Sequence, residues 1–301
     1  MNFNNQLIAL TIPAIVITYP QVSLAQTGQQ VNQLARETTV VILGEDKSIG
    51  SGVIVSRDNN TYYVLTSNHV IGSSEYKVVT PEGQEYAIEP ENVQRFPNNI
   101  DLAIVAFTSD KDYQIATLGP SNYVEPGLTV FVSGWPKPGQ VENNQLVRHL
   151  SSGSIASVLP EPVQGYQFGY NNTTQAGMSG GPVFDLEGRV VAIHGLANYD
   201  LENATELSDR QIDPRVGADL SRTGFNYGIP IDLFIQQLPY HREIFNGVII
   251  ETQAPSTSTE TVEPEVTQDT GFAIDVGKIF QRWLVGEIEE GLDRIPLPWK
   301  R

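Results

Sequence analysis

TTQAGMSGGPVFDLEGRVVAIHGLA, residues 173–197, decides the reading of this chain, with Gly177-Met178-Ser179-Gly180-Gly181-Pro182 at its centre. A serine hydroxyl is a poor nucleophile until a base and oxyanion donors are placed around it. Glycines on both sides permit a tight turn and leave room for a substrate. They also let the N–H groups of Gly177 and Ser179 converge on one point, the geometry that binds a developing oxyanion. Val183-Phe184 and Val190-Val191-Ala192-Ile193 follow as β-rich runs joined by the turn Asp185-Leu186-Glu187-Gly188. Taken alone, the stretch reads first as a Gly-Ser turn linking two strands.

Two upstream stretches decide between those readings. Tyr62 to Ile71, YYVLTSNHVI, is a strand running into a polar corner that holds His69; Asn99 to Phe107, NIDLAIVAF, puts Asp101 at the head of an apolar strand. A carboxylate there is costly unless it is hydrogen-bonded or paired. In the order His, Asp, Ser, the three motifs resemble the chymotrypsin-like (trypsin-like) serine peptidases, over roughly Thr38 to Leu238. The resemblance implies a catalytic triad of His69, Asp101 and Ser179, an oxyanion hole from Gly177 and Ser179, and an acyl-enzyme intermediate. Met178 stands where the animal digestive members carry an aspartate that pairs with a newly cut N-terminus. Together with the absence of cysteine, this points to the bacterial branch, which includes glutamyl endopeptidases and HtrA-like proteases.

In that family the pocket for the acyl-side residue is lined just before the serine and by the strand after it. Thr173 occupies the place of the aspartate that selects Lys or Arg, and no carboxylate lies between Asn171 and Met178. Thr174 and His194 stand where glutamyl endopeptidases place a threonine and a histidine, with Gly195 beside them. The resemblance therefore implies binding of a glutamate, or aspartate, carboxylate by a hydroxyl and an imidazole, more strongly if His194 is protonated. Small or aliphatic residues are the competing preference. For His194 alone, packing on a half-buried strand is the plain alternative. His149 and His241 read as structural or surface residues.

Composition bounds the rest. The 301 residues carry a formal net charge of -17, which argues against nucleic acid or anionic membrane as the main partner. With no cysteine there are no disulfides, thiolates or cysteine zinc sites, and no cofactor or metal is called for. Leu7 to Val16 is apolar and precedes Ser23-Leu24-Ala25, so residues 1–25 read as a signal peptide and the protein as secreted or periplasmic, although no Lys or Arg precedes the run.

The expected fold is all-β: two antiparallel six-stranded β-barrels with a short closing helix and a C-terminal helical extension. Residues 26–37 read as a pro-segment or an outer helix, and residues 38–250 as the protease domain. The first barrel spans about 38–107 and the second about 128–231. Asp232 to Leu238 reads as the closing helix, with Asp232 as its N-cap. Asn198 to Asn226 is a long polar insertion placed to rim the cleft. Thr-, Pro-, Ser- and Glu-rich residues 251–270 read as a flexible linker. Residues 271–301 carry Ile274, Val276, Ile279, Phe280 and Trp283 at helical spacing, an amphipathic segment expected to dock on the protease domain or a protein partner rather than a membrane. The expected function is a secreted serine endopeptidase acting on protein or peptide. The alternatives are an HtrA-like periplasmic quality-control protease without a PDZ domain, and a binding protein on a protease scaffold.

Overall fold

The structure, a computed structural model, describes residues 28–72, 75–137, 145–196, 225–254 and 265–283. The expected signal peptide, the body of the 198–226 insertion and the tail beyond 283 lie outside these.

A helix, α1 (Gly28–Thr38), opens the described chain and leads directly into the strands of the first lobe. These are β1 (Thr39–Gly44), β2 (Ile49–Asp58), β3 (Thr61–Thr66), β4 (Tyr76–Val79), β5 (Glu85–Ile88), β6 (Val93–Arg95) and β7 (Ala103–Thr108). They form one antiparallel sheet in the order β5-β4-β1-β2-β3-β7-β6. The first lobe of the expected all-β fold thus has seven strands, and among the described residues no hydrogen-bonded ladder joins β5 to β6. The sequences TVVIL, GVIV and YYVL are near-continuous apolar runs because both faces of this sheet are covered. Val40, Ile42, Ile54, Val64 and Val105 fill the inside of the lobe. Val53, Val55, Leu65 and Ile104, pointing the other way, pack with Tyr166, Phe184 and Ile193 of the second lobe.

After the short β8 (Thr117–Leu118), the second lobe is built from β9 (Thr129–Gly134), β10 (Gln145–Val163), β11 (Tyr166–Tyr170), β12 (Pro182–Phe184), β13 (Val190–Leu196) and β14 (Asn226–Pro230). Its ladder runs β12-β9-β10-β11-β14-β13, and β13 pairs back with β12, which closes a six-stranded barrel. Met178, the residue before the serine, is fully buried in this barrel's interior among Val130, Val132, Tyr170 and Val183.

Where a pro-segment or an outer helix was expected over residues 26–37, the chain forms α1, which packs by one face: Val31 and Ala35 are fully buried in the cluster that contains Phe131, Leu150 and Phe184. A cut that removed it would uncover that apolar surface. Two readings are corrected. The closing helix is short, α2 (Asp232–Ile235), and is capped by Ile231 without a side-chain bond. Asp232 instead accepts the Ser121 N–H through Oδ1 at 3.2 Å. A second short helix, α3 (Arg242–Phe245), and β15 (Ile249–Ile250) follow.

The second correction lies at the C-terminal end, where residues 265–275 are a strand rather than the end of a linker and the start of a helix. This strand, β16 (Glu265–Asp275), pairs antiparallel with β10 from Gln145 to Ser152. Helix follows only at residues 276–283. Ile274, Val276 and Ile279 pack with Val41, Leu43 and Val79 of the first lobe and Trp135 and Leu146 of the second.

Candidate active site

His69 lies on the single 3₁₀ turn Asn68–Val70 that ends β3. Asp101 lies just ahead of β7, where its backbone is pinned from both sides. Its N–H donates to Gln164 O of the second lobe at 2.9 Å, and its carbonyl accepts the Asn68 N–H at 3.1 Å. The carboxylate is 5% exposed as part of its residue, and its burial is compensated by donors. Oδ1 accepts the His69 N–H at 2.8 Å. Oδ2 lies 2.6 Å from His69 Nδ1 and also accepts the Tyr166 hydroxyl. With Nδ1 turned to the carboxylate, the ring leaves Nε2 for the reaction, and that atom has no hydrogen-bond partner among the described residues.

Ser179 sits on the turn between β11 and β12, and Ser51 of β2 holds that turn from the first lobe. The Ser51 N–H donates to Ser179 O at 2.8 Å, and its hydroxyl donates to Gly177 O at 2.8 Å while accepting the Trp135 N–H. Gly177 and Gly180 have φ of 95° and 86°, the left-handed region that glycine reaches without strain. A side chain at 180 would collide with Ser51 O and the Thr66 hydroxyl, so the serine loop presses directly against the corner that leads to His69. Neighbouring amides find acceptors: Met178 N–H on Gln175 O, Gly180 N–H on His194 O, Gly181 N–H on Met178 O. Those of Gly177 and Ser179 have none among the described residues. The Ser179 hydroxyl donates to Gly195 O at 3.2 Å rather than to His69. A turn about its Cα–Cβ bond is needed before it can meet Nε2, and catalytic hydrogen bonds commonly tighten only when substrate binds.

The expected pocket residues divide into two groups. His194 is fully buried on β13, with Nδ1 2.7 Å from the Tyr170 hydroxyl. Burial, and then the charge of nearby His69, lower its pKa from 6.5 to about 3. The imidazole is therefore neutral at ordinary pH, against the protonated form considered from sequence. Thr174 is buried and donates to Asn226 Oδ1 at 2.9 Å. Register aligns Tyr170 with Asn226 and His194 with Gly228, across β11, β14 and β13. Thr173 is solvent-exposed and does not join this buried set. His149 is buried, its pKa lowered by desolvation and by Arg148, and His241 is half-exposed 3.8 Å from Glu243. Sequence reading missed Tyr166, Tyr170 and Asn226; for Ser51 the only signal was its Gly-Ser-Gly context. Among the described residues no group of acidic or histidine side chains is placed to hold a metal.

The two-lobed all-β fold and the His69–Asp101 pair beside a serine turn are similar to those of the chymotrypsin-like serine peptidases. Residues 50–193 match the family described as "Trypsin-like peptidase domain", and the curated relatives it resembles in sequence are named as HtrA and DegP-like serine proteases. The chain is 32% identical over 152 residues to a "Probable periplasmic serine endoprotease DegP-like" of Marinomonas sp. (strain MWYL1), covering 50% of this chain and 30% of that protein. It is 29% identical over 152 residues to "Serine protease Do-like HtrA" of Bacillus subtilis (strain 168), covering 49% and 33%. A DegP-like protein of Halomonas elongata is 28% identical over 193 residues, covering 63% and 34%. The chain thus spans about a third of the length of these curated relatives.

Proposed function

We propose that the chain is an exported serine endopeptidase that cleaves protein or peptide through Ser179, His69 and Asp101. The observation that carries this reading is the 2.6 Å His69–Asp101 pair on the first lobe, facing a serine turn that Ser51 fastens to the same lobe. In the mechanism, substrate binding turns the Ser179 hydroxyl toward His69 Nε2. The oxygen attacks the peptide carbonyl as the imidazole takes its proton, and the N–H groups of Gly177 and Ser179 receive the oxyanion. The imidazolium, stabilised by Asp101, then protonates the leaving amine. Water repeats the sequence on the acyl-enzyme.

For the acyl-side residue we assign a glutamate, or aspartate, carboxylate. Its support is a buried imidazole oriented by Tyr170, with the Thr174 hydroxyl oriented by Asn226. A neutral His194 donates one hydrogen bond, and an arriving carboxylate raises its affinity for a second proton. Export is supported by the apolar run at residues 7–16 and by the periplasmic naming of the DegP-like relatives. No helix among the described residues is long and apolar enough to cross a membrane. Docking of the C-terminal segment on the protease domain is supported by the pairing of β16 with β10.

The test is a peptide panel varied at the acyl-side residue, run on the wild-type chain, Ser179→Ala and His194→Ala. The reading expects cleavage that Ser179→Ala abolishes, with a preference for Glu over Gln that His194→Ala removes. Cleavage surviving Ser179→Ala rules out the triad. Equal turnover of Glu and Gln peptides by the wild-type chain rules out the specificity alone.

A further inference from the structure

Asp101 lies in a buried place, and among the described residues no Lys or Arg partners its carboxylate. Two of its three donors, the N–H and the Nδ1–H of His69, belong to the group that it orients. The third comes from the opposite lobe: the Tyr166 hydroxyl on β11 donates to Oδ2. Two residues before Tyr166, Gln164 O accepts the Asp101 N–H at 2.9 Å, so one short segment of the second lobe holds both the backbone and the side chain of Asp101. The phenol is fully buried, and burial, followed by the charge of Asp101, pushes its pKa well above 10.0. It therefore keeps its proton at any working pH and acts toward the carboxylate as a donor.

Its place is kept open by Gly195. A Cβ there would collide with the Tyr166 hydroxyl and ring. The same residue offers its carbonyl to the Ser179 hydroxyl. Residue 195 thus borders both the Ser179 hydroxyl and the phenol that donates to Asp101, and its lack of a side chain admits that phenol.

We infer that Tyr166 is a positioning residue for the reaction, fixing the Asp101 carboxylate, and through it the His69 ring, from the opposite lobe. The inference rests on the triad reading above. The ionisable groups around His69 among the described residues are Asp101 on its own lobe, Arg95 on β6, which donates to the Asn68, Ile71 and Gly72 carbonyls in and just after the turn that carries it, Tyr166 beside Tyr170 on β11, and His194 on β13. Without the phenol, Asp101 keeps more of its charge for the imidazolium formed in the reaction, and carboxylate and ring both loosen.

The experiment compares wild type, Tyr166→Phe and Tyr62→Phe over a pH series with kcat and KM separated, alongside melting temperatures. Tyr62 is the control: its buried hydroxyl donates to Lys111 O at 2.8 Å, within the first lobe and away from the triad. For Tyr166→Phe the expected kcat falls about tenfold to a hundredfold with KM within about twofold. The acidic limb of kcat/KM moves up by about half a pH unit. Tyr62→Phe is expected to lose stability with kcat and the acidic limb unchanged. Should Tyr166→Phe not fold, 3-fluorotyrosine at position 166 keeps the volume, strengthens the donor, and is expected to move the acidic limb down. Wild-type turnover with kcat and acidic limb unmoved in Tyr166→Phe, or in its fluorinated substitute, overturns the inference alone. A folded wild-type chain that cleaves no peptide overturns the triad reading and the inference with it.

Discussion

A carboxylate taken out of water must be supplied with donors, and Asp101 finds three, two of them on His69. Asp101→Asn keeps the shape but offers an amide where the imidazole needs an acceptor, which selects the wrong tautomer. The expected loss in kcat is roughly 10⁴-fold with the fold intact, read by steady-state kinetics beside circular dichroism; a loss under tenfold contradicts the assignment. His194 makes a prediction of the opposite kind. Its folded pKa of about 3 lies below the ordinary 6.5. Below about pH 6.5 the unfolded chain takes up a proton that the folded chain refuses, so stability falls as pH drops toward 3. Melting temperature should therefore drop more steeply between pH 7 and pH 5 in wild type than in His194→Gln, which does not titrate. Parallel profiles would refute it. His69, Asp101 and Ser179 were legible because each stands in a local pattern that its chemistry imposes. Tyr166 was not, because a tyrosine inside an apolar strand looks like any core aromatic until the partner across the cleft is known.

The hairpin that carries the serine is held at its turn by buried charge. Arg189 Nε donates to Asp185 Oδ2 at 2.8 Å, and its Nη2 lies 2.7 Å from the same oxygen and 3.2 Å from Glu187 Oε2. Asp185 Oδ1 meanwhile accepts the N–H groups of Glu187 and Arg189, at 3.0 and 2.9 Å. Asp185→Ala removes the chief counter-charge of a buried guanidinium, which costs about 3–5 kcal/mol. Urea denaturation measures this directly, and a change under about 1 kcal/mol would show the pair to be dispensable. The strands of this hairpin were readable from β-branched runs around Asp-Leu-Glu-Gly. Burial of the charges was not, since a charged turn ordinarily faces water. Residues 265–275 failed for a related reason: their apolar positions suit a helix, but the edge of β10 supplies backbone partners that make a strand the better solution.

Across the whole molecule, the two lobes meet through strands apolar on both faces, so the site exists only when both are folded and packed. The C-terminal segment adds to that junction. Ile274, Val276 and Ile279 are buried against both lobes, and Lys77 Nζ stands 4.6 Å over the Trp283 ring. A chain truncated after residue 254 loses these contacts and the β16 pairing. At roughly 1.5–3 kcal/mol per fully buried aliphatic side chain, its melting temperature should fall by at least about 5 °C. An unchanged melting temperature would show that the segment contributes nothing to the junction. The two-lobed all-β plan was legible from the spacing of apolar runs and turns. The seventh strand of the first lobe was not, because β6 is only three residues long and carries no apolar run of its own.

The most direct test of the central claim is covalent. The folded chain is treated with a fluorophosphonate, digested, and the modified residue located by tandem mass spectrometry, with His69→Ala treated in parallel. A single adduct on Ser179 that is lost in His69→Ala is the predicted result. A folded wild-type chain that takes up no label, or one labelled at Ser179 equally well without His69, would contradict a serine activated by that histidine.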